Sequence, residues 1–449
     1  MPGMLSTPNN RWRLALVVLG LLTTAWCLPG IGVRATNGAH VAVDEPQYLL
    51  SATSLWEDLD LDISDELADE RWREFHESDL PTQTKPLDGG REVSPHDPLL
   101  PLLLAAPMGL FGWIGAKVAM AVMAGLLAAA VAWVAVVRLG LSRRRAVAAA
   151  ACFSLGFPLT AYATQVYPEL PAALVTTIGV GAALGRSRRC ALVAGVAVVA
   201  LPWLSVKYAP VAAVVAAIAL VRLREHRIAL LAWFTASAVV FAVVHQIVYG
   251  GWTPYAAGDH FVGGELTVAG TDPDHLGRSR RLIALLVDKG YGLAAWHPAW
   301  LLLLPAFGAA VRRRDPLTLV VAAGWLTATF VALTMHGFWW PGRQVVVVLP
   351  VAALLVARWA GDRVLAAGAL LGAALWWWFV LGDNTFVVHW RAASWLRPLL
   401  VARNHDAGTA VWAAIAVVAL LLGHEDARRR ERADADHSIA DADGDRTVG

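Results

Sequence analysis

The sequence predicts an all-α protein, a polytopic transmembrane helical bundle of about twelve helices (between about 11 and 13) with a partly helical first extracytoplasmic loop. Three observations predict this class. Hydrophobic residues make up 57% of the 449 residues and charged residues 16%, whereas a soluble domain carries about 25% charged residues. The mean hydropathy is +0.53. Apolar runs of the length that spans a bilayer recur along the chain.

The predicted spans lie roughly at 12–33, 114–137, 146–164, 169–185, 190–205, 207–222, 228–249, 297–311, 316–335, 344–358, 364–381 and 409–423. The first is interpreted as a retained helix, because its apolar core is long for a signal peptide and no clean small-x-small cleavage site follows. The stretch 98–112 is apolar but short and proline-rich, which favours a half-helix or an interfacial helix. Residues 1–423 form one predicted membrane domain, and the charged tail 424–449 is predicted to be disordered.

Arginine near the helix ends predicts the orientation. Five short clusters share one side of a twelve-helix bundle: Arg143–Arg145, Arg186–Arg189, Arg222–Arg227, Arg312–Arg314 and Arg428–Arg430. Because short loops rich in Arg and Lys stay in the cytoplasm, this side of the plasma membrane and both termini are predicted to be cytoplasmic. The longer polar loops then face outward. The first of them, 34–97, carries a predicted surface helix from Leu55 to His76, with apolar residues at roughly helical spacing.

Two adjacent carboxylates, Asp44 and Glu45, lie about ten residues beyond the first predicted helix. A carboxylate near a low-dielectric boundary suits a general base, because burial raises its pKa toward the working range. The alternative is that both are ordinary members of an acidic loop, and for Glu45 the two interpretations weigh about equally. For Asp44 the base is favoured, because Pro46 and Tyr48 return the chain to the membrane surface.

Further candidate binding residues lie at other predicted helix ends on the same side. His96 and Asp97 close the first loop and are candidates for binding a sugar or a cation, with capping of the next helix as the alternative for Asp97. Tyr167 and Glu169 lie in a tight outer hairpin. A carboxylate there is costly unless it is used or paired, although Glu169 at a helix start also complements the helix dipole.

Basic residues on the outer side break the positive-inside trend. Lys207 lies in a short outer hairpin, where it either snorkels or binds a phosphate. Arg343 follows the aromatic Trp340, and its planar fork matches two phosphate oxygens. Arg281 and Lys289 belong to a basic cluster for which a lipid-phosphate substrate and ordinary lipid headgroups are alternative partners.

The sequence also excludes several classes of function. It contains no Gly-rich phosphate loop, no nucleotide-binding pattern, and just three cysteines without metal-type or disulfide-framework spacing. The inner loops are too short for a soluble donor-binding domain, so a sugar donor must reach the outer face on a lipid. No nucleic-acid partner and no metal site are predicted, and the participation of a divalent cation is left open.

Taken together, the first loop that starts with Asp44-Glu45, the element His96-Asp97-Pro98-Leu99, the hairpin Tyr167–Pro171 and the Trp-rich turn before Arg343 resemble the GT-C superfamily. The resemblance covers about residues 12–360, and segment 281–298 is similar to one in actinobacterial members. It implies an integral membrane glycosyltransferase that uses a polyprenyl-phosphate sugar, with Asp44 as base and with Arg343 and Lys207 as candidates for the donor phosphate. The final turn departs from the family's Gly-Pro-Arg-Tyr, since this chain has Pro341-Gly342-Arg343-Gln344.

Three functions remain open from the sequence. The favoured one is inverting transfer of a sugar to an extracytoplasmic glycan, lipid or protein acceptor, within a membrane-lipid environment. The second is a transporter or flippase for a lipid-linked or anionic solute. Transporters usually show internal repeats and charges near the bilayer midplane, whereas here no repeat is visible and the charges cluster at one face. The third is a non-catalytic subunit of an envelope-assembly complex, in which Asp44 would be dispensable.

Overall fold

The computed structural model describes residues 10–81, 83–253, 256, 274–290, 292–331, 342–382, 384–386, 400 and 406–444. Most of these residues are helical and very few lie in strands, which confirms the all-α class. One short antiparallel hairpin lies in the first loop, where Lys85–Pro86 pairs with Glu92–Val93.

The α-helices are α1 (Asn10–Cys27), α2 (Glu45–Glu57), α3 (Ser64–Ala68), α4 (Leu99–Val137), α5 (Arg143–Ser154), α6 (Leu159–Tyr162), α7 (Glu169–Ala183), α8 (Arg188–Leu204), α9 (Ala209–Arg222), α10 (Arg227–Tyr249), α11 (His275–Ser279), α12 (Arg281–Val287), α13 (Leu293–Trp296), α14 (Leu303–Arg312), α15 (Leu317–Leu326), α16 (Leu349–Trp359), α17 (Asp362–Leu381) and α18 (Asp406–Gly444). Short 3₁₀ helices include Leu28–Gly32, Arg71–Glu74, Val206–Tyr208, Pro298–Leu302 and Arg343–Val348. Residues Thr327–Val331 form a π-helical turn.

Within the described residues, five helices are long and apolar enough to cross a membrane: Asn10–Gly32, Leu99–Val137, Arg224–Tyr249, Asp362–Leu381 and Asp406–Ala433. Shorter apolar helices are Glu169–Ala183, Pro298–Arg312 and Leu317–Val331. Large apolar side chains lie exposed on the outer helices, including Leu21 at 66% and Ile228 at 85% exposure. Extended apolar surface of this kind is typical of a protein in contact with membrane. A bundle of about twelve spans remains a prediction.

The stretch 98–112 is the first part of α4, a helix of 39 residues. The helix breaks at Gly112, where φ is 62° and ψ is −162°. A residue without a Cβ adopts this conformation readily, so Gly112 lets two helical halves join at an angle. The stretch is therefore helical and continuous with the following predicted span, and its place in the membrane as a half-helix or an interfacial helix stays a prediction.

The single surface helix expected from Leu55 to His76 is not formed. The chain leaves the right-handed helical region at Leu59 (φ 63°) and again at Glu70 (φ 53°), so α2, α3 and the 3₁₀ turn Arg71–Glu74 are separate. Two aspartates between α2 and α3 bind nearby backbone amides, since Asp60 accepts from Asp62 and Asp62 accepts from Ser64. Such local bonds compete with the helical ladder.

Residues 424–444, part of the tail for which the sequence predicts disorder, continue α18 in the structure. Arg430 pairs with Asp426 one helical turn earlier at 2.9 Å, and Arg312 at the end of α14 pairs with Glu431 at 3.0 Å. The pair between Arg430 and Asp426 lies within α18 at the i, i+4 spacing, and such a pair favours a helix by a few tenths of a kcal/mol.

Helix α4 forms the centre of the packing around the first loop. Helices α1, α2, α5 and α7 all lie against it. Helices α1 and α4 approach closely, because a Cβ on Gly125 would lie 2.3 Å from the backbone oxygen of Gly20. Because α2 and α7 share α4 as a support, their N-terminal ends, which carry Asp44 and Glu169, come together.

Candidate functional site

Four charged residues that the sequence singled out meet in one ion cluster, defined here as Asp44, Glu169, Lys207 and Arg343. Arg343 donates from Nη2 to Asp44 Oδ2 at 2.6 Å and from Nε to Glu169 Oε1 at 2.9 Å. Lys207 Nζ donates to the same Glu169 oxygen at 2.7 Å. The Glu169 side chain is fully buried and that of Arg343 nearly so, whereas Asp44 is 19% and Lys207 26% exposed. A ligand can therefore approach the cluster at Asp44 and at Lys207.

Helix capping does not account for Asp44. It occupies the N-cap position of α2, but its side chain makes no cap hydrogen bond. An N-cap aspartate ordinarily accepts from the first turn of its own helix. Here the carboxylate binds Arg343 instead, on a segment 299 residues further along the chain.

The backbone just before Asp44 is strained. Val43 has φ of 60°, and a β-branched residue in the left-handed region is an outlier that costs about 1–3 kcal/mol. Two contacts fix its neighbour Ala42: the Ala42 amide donates to Glu45 Oε2 at 3.1 Å, and Tyr167 Oη donates to the Ala42 carbonyl at 3.2 Å. Strain held in place by the surroundings is concentrated at functional sites.

Glu45 lies beside Asp44 but has a different environment. Its Oε1 accepts from the Val166 amide at 2.7 Å and its Oε2 from the Ala42 amide at 3.1 Å, and the side chain is buried. Burial raises the pKa of Glu45, while the charge of Lys117 and the two amides oppose the rise. Glu45 thus fastens the first loop to the hairpin before α7 and positions Asp44.

Gly342 lets Arg343 enter the cluster. Its φ is 65°, and a Cβ there would lie 2.3 Å from the side chain of Leu293. The 3₁₀ helix that begins at Arg343 then packs against α7. The guanidinium lies 4.2 Å from the ring centroid of Tyr167, an arrangement that adds a cation–π attraction.

The charges of the cluster control the ionisation of Asp44. Burial by itself would raise the pKa of this carboxyl, but the charge of Arg343, the smaller effect of His96 and the hydrogen bond from Arg343 outweigh it. The pKa of Asp44 therefore lies below its ordinary value, and the carboxyl is ionised at neutral pH.

His96 and Asp97 lie next to the cluster and differ in their bonding. His96 stacks on Tyr48 with ring centroids 4.5 Å apart, and burial lowers its pKa to about 4. Its Nε2 is buried and has no hydrogen-bond partner in the part of the chain that the structure describes. Asp97, in contrast, accepts from the Val206 amide at 3.0 Å and lies 3.2 Å from His245 Nε2. Asp97 thus fixes the hairpin that carries Lys207 and does not cap α4.

The remaining predicted residues lie elsewhere or outside the described residues. Arg281 is the first residue of α12, and Lys289 lies exposed just beyond the end of this helix. Helix α12 packs against α13 and α18. Trp340 lies outside the residues that the structure describes.

Sequence reasoning missed two polar residues inside apolar helices. Lys117 of α4 donates to the His40 carbonyl at 3.0 Å, and His245 of α10 supports Asp97. The signal was present, because a charged or polar residue within a spanning stretch is costly and usually has a partner.

The ion cluster combines a partly exposed carboxylate, a partly exposed ammonium and a buried guanidinium with a strained backbone. This arrangement can take up a proton at Asp44 and bind an anion at Lys207 and Arg343. Its interpretation rests on this geometry, because no protein-family model, no curated protein and no solved structure matches the chain.

Proposed function

We propose that the chain is a multi-pass plasma-membrane glycosyltransferase that moves a sugar from a polyprenyl-phosphate donor to an acceptor hydroxyl on the extracytoplasmic face, with inversion. The acceptor is a glycan, a lipid or a protein. The observation that carries the proposal is the ion cluster, in which the base candidate Asp44 shares Arg343 with Glu169, and Glu169 in turn binds Lys207. Four residues from distant loops thus form one site.

Apolar grooves beside Lys207 support a lipid-linked donor. One groove of about 320 Å³ lies between α8, α9 and α10, and Val206 and Ala209, which flank Lys207, form part of its wall. A second groove, of about 390 Å³, is lined in part by Trp203 and by Pro98, and Pro98 directly follows Asp97 in the sequence. Both walls are almost entirely apolar. A polyprenyl chain in the first groove would direct its phosphate toward Lys207.

The chemistry assigned to the cluster is a single displacement. Asp44 takes the proton of the acceptor hydroxyl as that oxygen forms a bond to the anomeric carbon of the sugar. The bond between that carbon and the phosphate oxygen breaks, and polyprenyl phosphate leaves with the electron pair. Lys207 and Arg343 stabilise the negative charge that develops on the leaving phosphate.

The pair between Arg343 and Asp44 couples donor binding to base strength. While the guanidinium binds Asp44, it holds the pKa of the carboxyl low and makes it a weak base. A donor phosphate competes for the same guanidinium, because Arg pairs well with phosphate oxygens. Once Arg343 turns to the phosphate, the pKa of Asp44 rises and the carboxylate becomes a better proton acceptor.

The experiment compares Asp44→Asn with the parent in a transfer assay, using purified protein and a polyprenyl-phosphate sugar donor. Asn keeps the size of Asp but cannot take the proton, and general-base catalysis is worth about 10²–10⁴-fold in rate. We expect transfer to fall at least about a hundredfold while donor binding persists. Asp69→Asn, at an exposed position of the same loop, is the matched control and should transfer at the parental rate. Near-parental transfer by Asp44→Asn would overturn the proposal.

A transporter or flippase has less support. The charges of the ion cluster lie at the N-terminal ends of α2 and α7 and in the turn before α9. Transporter sites are typically built from broken helices near the bilayer midplane. Donor flipping by Asp44→Asn protein at the parental rate, without transfer by either form, would favour that function instead.

A further inference from the structure

A second group of carboxylates lies at the opposite end of α2 from Asp44. Asp58 directly follows the last residue of α2, and Asp65 and Glu66 lie in the first turn of α3. Each offers one carboxylate oxygen, and these oxygens all lie within 4.8 Å of one another. Two ligands of one calcium ion are at most about 5 Å apart, because Ca–O distances are about 2.3–2.6 Å. The spacing therefore suits a single divalent cation.

Glu66 is the most buried of these three residues, so a negative charge on it is the most costly without a compensating cation. Its exposure is 2%, and no donor group of the described chain is recorded against either carboxylate oxygen, since the neighbouring Asp65 is itself a carboxylate. Burial, with further contributions from the carboxylates of Asp65 and Asp58, raises its pKa to about 8. An ionised carboxylate without a partner in such a place costs several kcal/mol. A proton or a bound cation removes that cost.

Other acids of the same loop already have donors. Glu57 forms a bidentate pair with Arg71, with two N–O distances of 2.8 Å. Asp60 accepts from the Ser54 hydroxyl at 2.9 Å. The C-terminal end of α2 adds a negative partial charge beside Asp58, which favours a cation there. The carboxylates of Asp58, Asp65 and Glu66 thus differ from their neighbours in lacking such compensation.

We propose that Asp58, Asp65 and Glu66 bind one divalent cation, with calcium preferred. Hard cations take carboxylate oxygens, and calcium accepts six to eight ligands in flexible geometry, so water and backbone carbonyls complete its coordination. Magnesium demands near-octahedral geometry at about 2.0–2.1 Å, which three carboxylates at the end of α2 and the start of α3 do not readily supply. The cation joins the end of α2 to α3. The proposal does not depend on the glycosyltransferase function.

The test uses the purified full-length protein, stripped with a chelator and titrated with calcium chloride by calorimetry and in thermal unfolding. We expect saturable one-site binding, in the range of about 10⁻⁴–10⁻³ M typical of extracellular calcium modules. The melting temperature should rise with calcium as mass action for one site requires. Glu66→Gln should lower the affinity at least about tenfold, since it removes a ligand charge.

Two controls distinguish loss of calcium binding from a general effect of the substitution. Glu66→Gln also removes a buried charge, so in chelator this variant should be at least as stable as the parent. Asp69→Asn makes the same charge change at an exposed position just after α3, and it should bind calcium like the parent. Absence of saturable calcium binding by the parent would overturn the proposal, as would equal weakening in Asp69→Asn and Glu66→Gln. A tighter response to magnesium would overturn the preference for calcium.

Discussion

The two ends of α2 hold buried carboxylates in contrasting surroundings. At the N-terminal end, Asp44 binds Arg343 and Glu45 binds two backbone amides. At the C-terminal end, roughly 20 Å away along 13 residues, Glu66 has no such donor among the described residues. Where the fold supplies the counter-charge, the carboxylate is ionised. Where the fold does not supply it, the carboxylate must take a proton or an ion from solution.

The largest effect is expected from removing the cation at the N-terminal end. Arg343→Ala leaves Asp44 and Glu169 without their shared guanidinium, and breaking a buried pair in this way costs about 3–5 kcal/mol. Thermal unfolding should show a large loss of stability, and use of the lipid donor should fall strongly. Arg343→Lys should restore only part of both, because lysine lacks the bidentate fork.

A double variant separates charge compensation from packing. Asp44→Asn in the Arg343→Ala background removes the carboxylate that loses its cationic partner, whereas Glu169 keeps Lys207, so part of the stability should return. If Arg343→Ala unfolds at the parental temperature, Arg343 does not compensate the charge of the carboxylates at the N-terminal end of α2. The contrast drawn between the two ends of this helix would then be wrong.

A smaller loss is expected from Glu45→Gln. The variant keeps one oxygen acceptor but turns an amide group toward a backbone donor, and a buried unsatisfied donor costs about 1–3 kcal/mol. Glu74→Gln, on the exposed surface of the first loop, should change stability by no more than about 0.5 kcal/mol. Chemical denaturation measures both. A Glu45→Gln protein that is stable but inactive, beside an active Asp44→Asn protein, would move the base to Glu45.

The smallest expected effect is a difference between the two ends of α2 in how the free energy of unfolding depends on pH. The pKa of Asp44 is depressed in the folded state, so its contribution is present above its ordinary value of 3.8 and is lost as pH falls through the folded value. The pKa of Glu66 is raised from 4.5 to about 8, so its contribution is full below 4.5 and is lost as pH rises through about 8. The two ends of α2 therefore respond to pH with opposite sign.

Unfolding measured against pH tests this difference. In chelator, the parent should lose stability relative to Glu66→Gln between about pH 5 and pH 9, and calcium should abolish that loss. The stability difference between the parent and Asp44→Asn should shrink below about pH 4. A chelated parent that tracks Glu66→Gln across this range would show that Glu66 is not a strained carboxylate.

Much of the ion cluster could be predicted from the sequence. Asp44, Glu169, Lys207 and Arg343 all lie at the boundaries of apolar stretches, where a charge needs a partner or a function. Their mutual pairing could not be predicted, because it depends on how α2 and α7 lie against α4. The different partners of Asp44 and Glu45 could not be predicted either, since the first turn of α2 decides which carboxylate faces Arg343.

Less of the first loop and of the helix ends could be predicted from the sequence. Its apolar spacing predicts one helix from Leu55 to His76, and a continuous helix would not bring Asp58, Asp65 and Glu66 together as the break at Leu59 does. That break depends on local side-chain bonds that spacing alone does not reveal. The all-α class, in contrast, follows from composition and apolar length, because both reflect the solvent around the whole chain.

Lys117 has a consequence for how the chain is made. It lies in the middle of α4, where a lysine costs about 2.5–3.5 kcal/mol during insertion through the translocon. Its ammonium binds the carbonyl of His40, which belongs to the segment synthesised just before α4. We expect that segment to cross the membrane before α4 does, so that the carbonyl of His40 is available to Lys117 when α4 is inserted. We therefore expect insertion of α4 to depend on the segment that precedes it in the chain.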